Sequence, residues 1–362
     1  MRCYLSEVMS RNDERGSRSD GPRGDDVRAH RVGFLLIPGF ALMSYASAVE
    51  PLRAANVLSG RTLYRWRHIA IRGSDIAASN GVRIPADATI GSAARLDSIV
   101  VCAGGNPATF SHPPTLSYLR STARHGVRMI GVSAGPFILA QAGLLDSYRC
   151  TLHWEHMPAF TETFPHLSLS RSLFEIDRDR FTCAGGIAAL DMMHAMIRID
   201  HGARLAAAVS DWFLQTEVRR GGAAQRLSPA QRFGVHHPKL VDTLLRMERR
   251  IERPLAPREL AAGADLSLRQ LERLFAQHLG TTLHRRYLQI RLEHARGLLR
   301  QSTMAIHEVA LATGFATPMH FARCYRRQFG LAPREERRAH RWHSRSCSAS
   351  LRGASSAIRR CG

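Results

Sequence analysis

The chain has 362 residues, 44% of them hydrophobic, which is enough for two or three domains with their own cores. Its 51 Lys and Arg outweigh 30 Asp and Glu to leave +21, and Lys239 is the sole lysine, so the charge is guanidinium, suited to bidentate contacts with phosphate and guanine. No apolar run is long enough to span a bilayer, and seven scattered cysteines (Cys3, Cys102, Cys150, Cys183, Cys324, Cys347, Cys361) without a C-x-x-C pair argue against zinc or a disulfide frame and for reduced thiols in a cytoplasm.

Residues 1–30 are rich in Arg, Asp, Ser and Gly and lack an apolar core segment, so they are expected to be a disordered extension or a misassigned start, neither leader nor membrane anchor. Over 31–214 strands and helices alternate. Strands are expected at 32–37, 66–71, 98–102 and 127–132, then at 173–176 and 180–183; helices are expected at 43–58, 188–200 and 205–214. Such an order implies an α/β domain, a doubly wound and mostly parallel sheet with helices on both faces and a site at the strands' C-terminal edge. The stretch 215–240, with Arg219-Arg220-Gly221-Gly222, Ser228-Pro229 and His236-His237-Pro238, reads as a linker to a second, all-α domain at 241–338. Residues 339–362 read as a disordered basic tail.

Gly131-Val132-Ser133-Ala134-Gly135 fits G-x-S-x-G, a strand-to-helix elbow that exposes a nucleophile. With His153 twenty residues later and Glu50 as acid, a Ser/His hydrolase can be drawn on these residues alone. His153 and His156 lie three apart, but no thiol or carboxylate stands at ligand spacing, so neither metal nor cofactor is expected.

In the second domain the chain repeats itself. Residues 259–280 and 308–330 each read as a helix, a turn and a second helix, at an offset of 49 before the turn and 50 after it. Ser267 with Gln270 forms a capping box on the first second-helix, and Thr317 with Pro318 opens the other. Leu271, Leu274 and Phe275 fall on an inward stripe, repeated by Phe321, Cys324 and Tyr325. The outward positions are then Arg269, Gln270, Arg273 and Gln277 in one copy and Met319, His320, Arg323 and Arg327 in the other. Apolar spacing over 283–300 predicts one amphipathic helix between the copies, a rigid spacer for two elements that each present side chains to a major groove. Residues 251–340 carry 15 Arg against 8 acidic residues, a basic surface that attracts phosphate without selecting sequence.

Two resemblances follow. Residues 250–338, with Phe315, Phe321, Arg323, Tyr325, Phe329, Gly330 and Pro333, resemble the DNA-binding domain of AraC/XylS-type regulators; Asp265 stands where that family has Gly at a left-handed turn position. Residues 31–200 resemble the ThiJ/PfpI-like (flavodoxin-like) domain of the class I glutamine amidotransferase superfamily, with Ser133 in place of the elbow Cys, His153 at its His, Glu50 at its acid and Gly104-Gly105 at its oxyanion loop. Together they are similar to the GlxA-type regulators. The resemblance implies a DNA-binding transcription regulator, an activator by family habit, whose amidotransferase-like half has lost its thiolate and senses a small metabolite instead of turning one over. Stretches such as Glu50-Pro51-Leu52-Arg53, His153-Trp154-Glu155 and 182–186 look like those of regulators of glycine-betaine, carnitine and arginine catabolism. A quaternary ammonium such as glycine betaine is the effector so implied, held by Glu50, Ser133, His153, Trp154, Phe40 and Gly105, with Tyr45 near by. Ser267, Arg269, Gln270, Arg273, Thr317, Met319, His320, Arg323 and Arg327 are the DNA-binding residues so implied. Promoter DNA, RNA polymerase and a second copy of the chain are the implied partners. The competing class is a hydrolase or amidotransferase-like enzyme with a DNA-binding tail.

Overall fold

The computed structural model describes residues 28–92 and 95–339. The expected N-terminal extension, except its last three residues, and the basic tail beyond residue 339 lie outside them, as do Cys3, Cys347 and Cys361.

The first half is built on a seven-stranded sheet. In chain order its elements are β1 (His30–Leu36), α1 (Leu42–Ser59), β2 (Tyr64–Ala70), the hairpin β3 (Asp75–Ala77) and β4 (Arg83–Pro85), β5 (Ala88–Thr89), β6 (Ser98–Ala103), α2 (Pro113–Arg124), β7 (Arg128–Ser133), α3 (Gly135–Gln141), β8 (Arg149–Cys150), α4 (Met157–Thr163), β9 (Ser168–Leu169), β10 (Phe174–Asp177), β11 (Arg180–Cys183), α5 (Ala188–His201) and α6 (Ala203–Trp212). The strand order β10-β11-β7-β6-β1-β2-β5 is parallel throughout except for β10, which runs against β11. Because side chains alternate along a strand, each central strand feeds two cores. Phe34, Leu36, Val100, Cys102, Ile130 and Val132 pack under α1, α5 and α6. Leu35, Ile99, Val101, Ala103 and Met129 pack on the other face with Phe137, Ile138 and Phe160. This is the doubly wound sheet expected from the sequence. The short strands β3, β4, β5, β8 and β9 left no periodic signal, being two or three residues long.

The stretch from 215 onward is laid along the sheet domain instead of hanging free. Fully buried Asp191 accepts from the Gln215 amide and from the Arg219 backbone and guanidinium at 2.6–3.0 Å. The amide of Leu173 donates to Gly221 O at 2.7 Å, and Gln225 Nε2 donates to Thr151 Oγ1, Leu152 O and Ser172 O. A capped turn of helix, α7 (Pro229–Phe233), then leads to α8 (Pro238–Arg249).

The second half holds α9 (Pro257–Ala262), α10 (Leu268–Leu279), α11 (Leu283–Gln301), α12 (Ile306–Ala312) and α13 (Pro318–Phe329). Nineteen residues give α11 a length of about 28 Å. Its first half, through Leu283, Tyr287 and Ile290, closes a core with α8, α9 and α10. Its second half, through Leu292, Ala295, Leu298 and Leu299, closes a separate core with α12 and α13. Two small helical units thus share one spacer.

Candidate functional site

At the sheet's C-terminal edge, β7 ends on Ser133 with φ of 61°, a left-handed conformation that non-glycine residues avoid. The turn into α3 is tight. A Cβ on Gly135 would overlap the Val101 carbonyl oxygen, and one on Gly131 would stand 2.7 Å from Pro136 N. Both glycines of the motif are therefore required by space, and the elbow is real. Ser133 is almost fully buried, and its hydroxyl makes no hydrogen bond among the described residues. Gly185 lies against it, the site of a Gly185 Cβ being 2.7 Å from the Ser133 Cβ and from Ser44 Oγ. Ser44, in the first turn of α1, accepts from Gly186 N at 2.7 Å. Gly105, two residues beyond the Ala103 that pairs with Ser133, is exposed, with open space where a Cβ would point.

His153 belongs to the same site, because its backbone amide donates to Ser133 O at 3.3 Å. Its ring is half-buried, stacked obliquely on Trp154 at 5.4 Å. Burial pushes the imidazole below its ordinary range, and the nearby Glu155 carboxylate partly offsets that. The polar contacts of the ring go to Glu155: its Nδ1 accepts from Glu155 N at 3.4 Å and lies 4.0 Å from the Glu155 carboxylate. No hydrogen bond joins His153 to Ser133 through side chains among the described residues, so a charge-relay pair is not assembled.

Four residues named from the sequence sit differently. Glu50 is bonded to Arg53 one turn on, at 2.7 and 2.8 Å, and is two-fifths exposed. The cation that an acid beside a thiol-free elbow demands is thus Arg53 itself. Phe40 is wholly buried, its ring edge-on to Tyr45 at 5.6 Å, so it offers no face to a ligand. Tyr45 in turn is buried and bonded to His68 at 2.7 Å; burial pushes its phenol up to about 12. Trp154 is exposed, with the Arg226 guanidinium 4.3 Å from its ring centroid. These aromatics therefore do not converge into a cage for a quaternary ammonium. Nothing in the sequence singles out Ser44, and Glu155 enters there only within the stretch His153-Trp154-Glu155; the roles of both depend on contacts across the fold.

The rim of this site touches the second half of the molecule. Asn106, next to Gly105, donates through Nδ2 to Arg300 O at 2.6 Å. Gln301 Nε2 lies 3.5 Å from Glu155 Oε1, and α11 packs against α4. From Arg300 the contacts continue: its guanidinium meets buried Glu336 at 2.6 Å, which also takes Arg296 at 3.2 Å and the Tyr325 hydroxyl at 3.1 Å. Burial alone would push the Glu336 carboxyl up; Arg300 and Arg296 hold it below its ordinary value. Tyr325 lies on α13. A continuous path of polar contacts therefore runs from the elbow's rim to the second helical unit.

In that half, both repeats fold as their capping residues dictate. Ser267 Oγ accepts from Gln270 N, and Thr317 Oγ1 from His320 N, each at 3.3 Å. Leu271 and Phe275 of α10, and Phe321 and Tyr325 of α13, are fully buried, while Leu274 and Cys324 are half-buried. Arg269, Gln270, Arg273 and Gln277 are exposed along α10, and Met319, His320, Arg323 and Arg327 along α13. Asp265 takes φ of 51° and its counterpart Gly314 φ of 74°, so the left-handed turn position survives in both copies. Among the described residues no helix is long and apolar enough to cross a membrane.

Known proteins fit this architecture. A DJ-1/PfpI family model matches residues 30–198 and a helix-turn-helix domain model matches 260–339. The HTH-type transcriptional regulator GlxA of Rhizobium meliloti is 46% identical over 315 residues, covering 87% of this chain and 97% of that protein. The HTH-type transcriptional regulator GbdR of Pseudomonas aeruginosa is 44% identical over 84% of this chain and 83% of its own length. The HTH-type transcriptional regulator CdhR of the same species is 43% identical over 84% of this chain and 90% of its own length.

Proposed function

The chain belongs to the GlxA-type HTH transcriptional regulators, DNA-binding proteins that join a DJ-1/PfpI domain to an AraC-type helix-turn-helix domain, and on that premise we propose that its elbow is a non-catalytic receptor for a small zwitterion. The carboxylate of the ligand meets Ser133 Oγ beside Gly105, and its cationic end lies toward Glu155, with Trp154 and His153 flanking. Glycine betaine is the first probe, since it carries both groups. The observation that carries the proposal is the double duty of the rim: Asn106 and Glu155, neighbours of Gly105 and His153, are also the residues that hold Arg300 and Gln301 of α11. A cation drawn to Glu155 competes with Gln301, so binding loosens the grip on the spacer and changes how the two readers are presented. Activation through RNA polymerase, assembly as a homodimer and a cytoplasmic setting are part of the same proposal and rest on the resemblance alone.

The readers are assigned residue by residue. The first uses Arg269, Gln270 and Arg273, capped by Ser267; the second uses Met319, His320, Arg323 and Arg327, capped by Thr317. Arg273→Ala is expected to lower affinity for a selected duplex with little effect on random DNA, whereas Arg285→Ala and Arg286→Ala weaken both alike.

Thermal shift of the full chain tests the receptor. A ligand at a hundred times its dissociation constant stabilises by about 2.7 kcal/mol. Glycine betaine and carnitine are expected to raise the melting temperature and choline, without a carboxylate, is not; Glu155→Gln loses the response while Glu50→Gln keeps it. The competing reading, a hydrolase, predicts turnover that Ser133→Ala abolishes.

A further inference from the structure

Superposed through their caps, α10 and α13 are two copies of one device. Ser267 and Thr317 accept from the third amide of their helices, and Leu271 and Phe321 are buried beneath at matching places. Arg269 and Met319 consequently occupy the same outward position, the second residue of the helix. The positions match and the chemistry does not. Arginine there can donate twice to guanine O6 and N7. Methionine has no donor for a base or a phosphate, yet Met319 is 84% exposed, projecting from a face that otherwise carries His320, Arg323 and Arg327. Its neighbour His320 is steadied edge-on against Phe315 at 5.7 Å, while Met319 is left at the leading end of the helix with its apolar surface uncovered. In a major groove one base-edge feature is apolar, the C5-methyl group of thymine.

We propose that Met319 is a specificity determinant of the second reader, which selects thymine by packing the thioether against its methyl group, while Arg269 at the same register makes the first reader select guanine. The proposal rests on the assignment of α13 as a base-reading helix, and its test separates the two.

The full chain is first used to select sequences from a randomised duplex library. Each thymine of the selected duplex is then replaced singly by deoxyuridine, which removes the methyl group and keeps every hydrogen-bonding atom. One position within the half of the duplex read by α13 is expected to lose about fourfold in affinity, the fold-change that corresponds to one methyl group leaving water at ~0.8 kcal/mol. Met319→Gln is expected to bind thymine and uracil alike at that position, and Met319→Arg to move the preferred base there to guanine. Because Met319 is on the surface, both variants should melt with the wild type. If uracil is tolerated everywhere in that half, or if the penalty persists in Met319→Gln so that it falls to the methyl of Thr317, the proposal is overturned. A selection that enriches no sequence overturns the proposal together with the reader assignment; a selected motif without methyl dependence overturns the proposal alone.

Discussion

The two helix-turn-helix units carry nearly the same local pattern and have different surroundings. The first turn is held by Lys239, whose ammonium donates to Asp265 O at 3.1 Å, and its core draws on α8. The second turn is held by Arg291, which donates to Thr313 O and Gly314 O at 2.8 and 2.6 Å and lies over the Phe315 ring at 4.3 Å. Only the second unit adjoins the Glu336 cluster, and through Arg300 it connects to Asn106 at the elbow's rim. A repeat fixes how each reader folds; its neighbours decide which reader the sensor domain addresses. On the proposed function, the second unit is the one that a bound metabolite would address, and the first is the constant partner.

The sharpest way to break this pairing is at the turn of the second unit. Gly314 combines φ of 74° with a Cβ site 2.6 Å from Ile251 O and 2.9 Å from Pro254 Cδ. Gly314→Ala should destabilise by about 3 kcal/mol, since strain and overlap coincide. Circular-dichroism melting of the full chain reads the loss, and an unchanged melt would mean that the turn relaxes freely. Next in size is Glu336→Gln, which leaves Arg296 and Arg300 facing a neutral amide beside the Tyr325 hydroxyl. Both guanidinium groups are about a third exposed, so water relieves part of the penalty, and about 2 kcal/mol is expected instead of the full value for a buried pair. The same melting measurement checks it; loss of DNA binding by the first reader as well would contradict the independence of the two cores. Smallest is Asp265→Gly in the first unit, which should stabilise by about 0.5 kcal/mol, relief of the left-handed strain at φ of 51° being partly cancelled by a freer unfolded chain. A destabilised variant would show that the Asp265 side chain contributes more than tolerance of positive φ.

The sequence made the readers legible to the residue, because caps and i, i+3, i+4 stripes act over one or two turns and α10 and α13 need nothing more to set their faces. The sheet was legible for a similar reason: 30–36, 98–103 and 128–133 are runs buried on both sides, and G-x-S-x-G encodes its own strained turn. The candidate site at the elbow was legible only in part. Ser133 and His153 are joined through the backbone, but Glu50 finds Arg53, Phe40 is absorbed into the core, and Glu155 stands beside His153. Nor does any local pattern mark the bond between Asn106 and Arg300, which lie 194 residues apart. Contacts of that kind depend on how two finished domains dock.

The most direct test of the account is the affinity of the full chain for its selected duplex with and without saturating glycine betaine, in the wild type and in Asn106→Ala. Loss of one hydrogen bond to Arg300 O, about 1 kcal/mol, should shrink the ligand-induced change in Kd about fivefold while Asn106→Ala still binds the ligand by thermal shift. A wild type that binds betaine yet keeps the same Kd for DNA would contradict the account, because a bound ligand that leaves the affinity unchanged has no coupling to the readers.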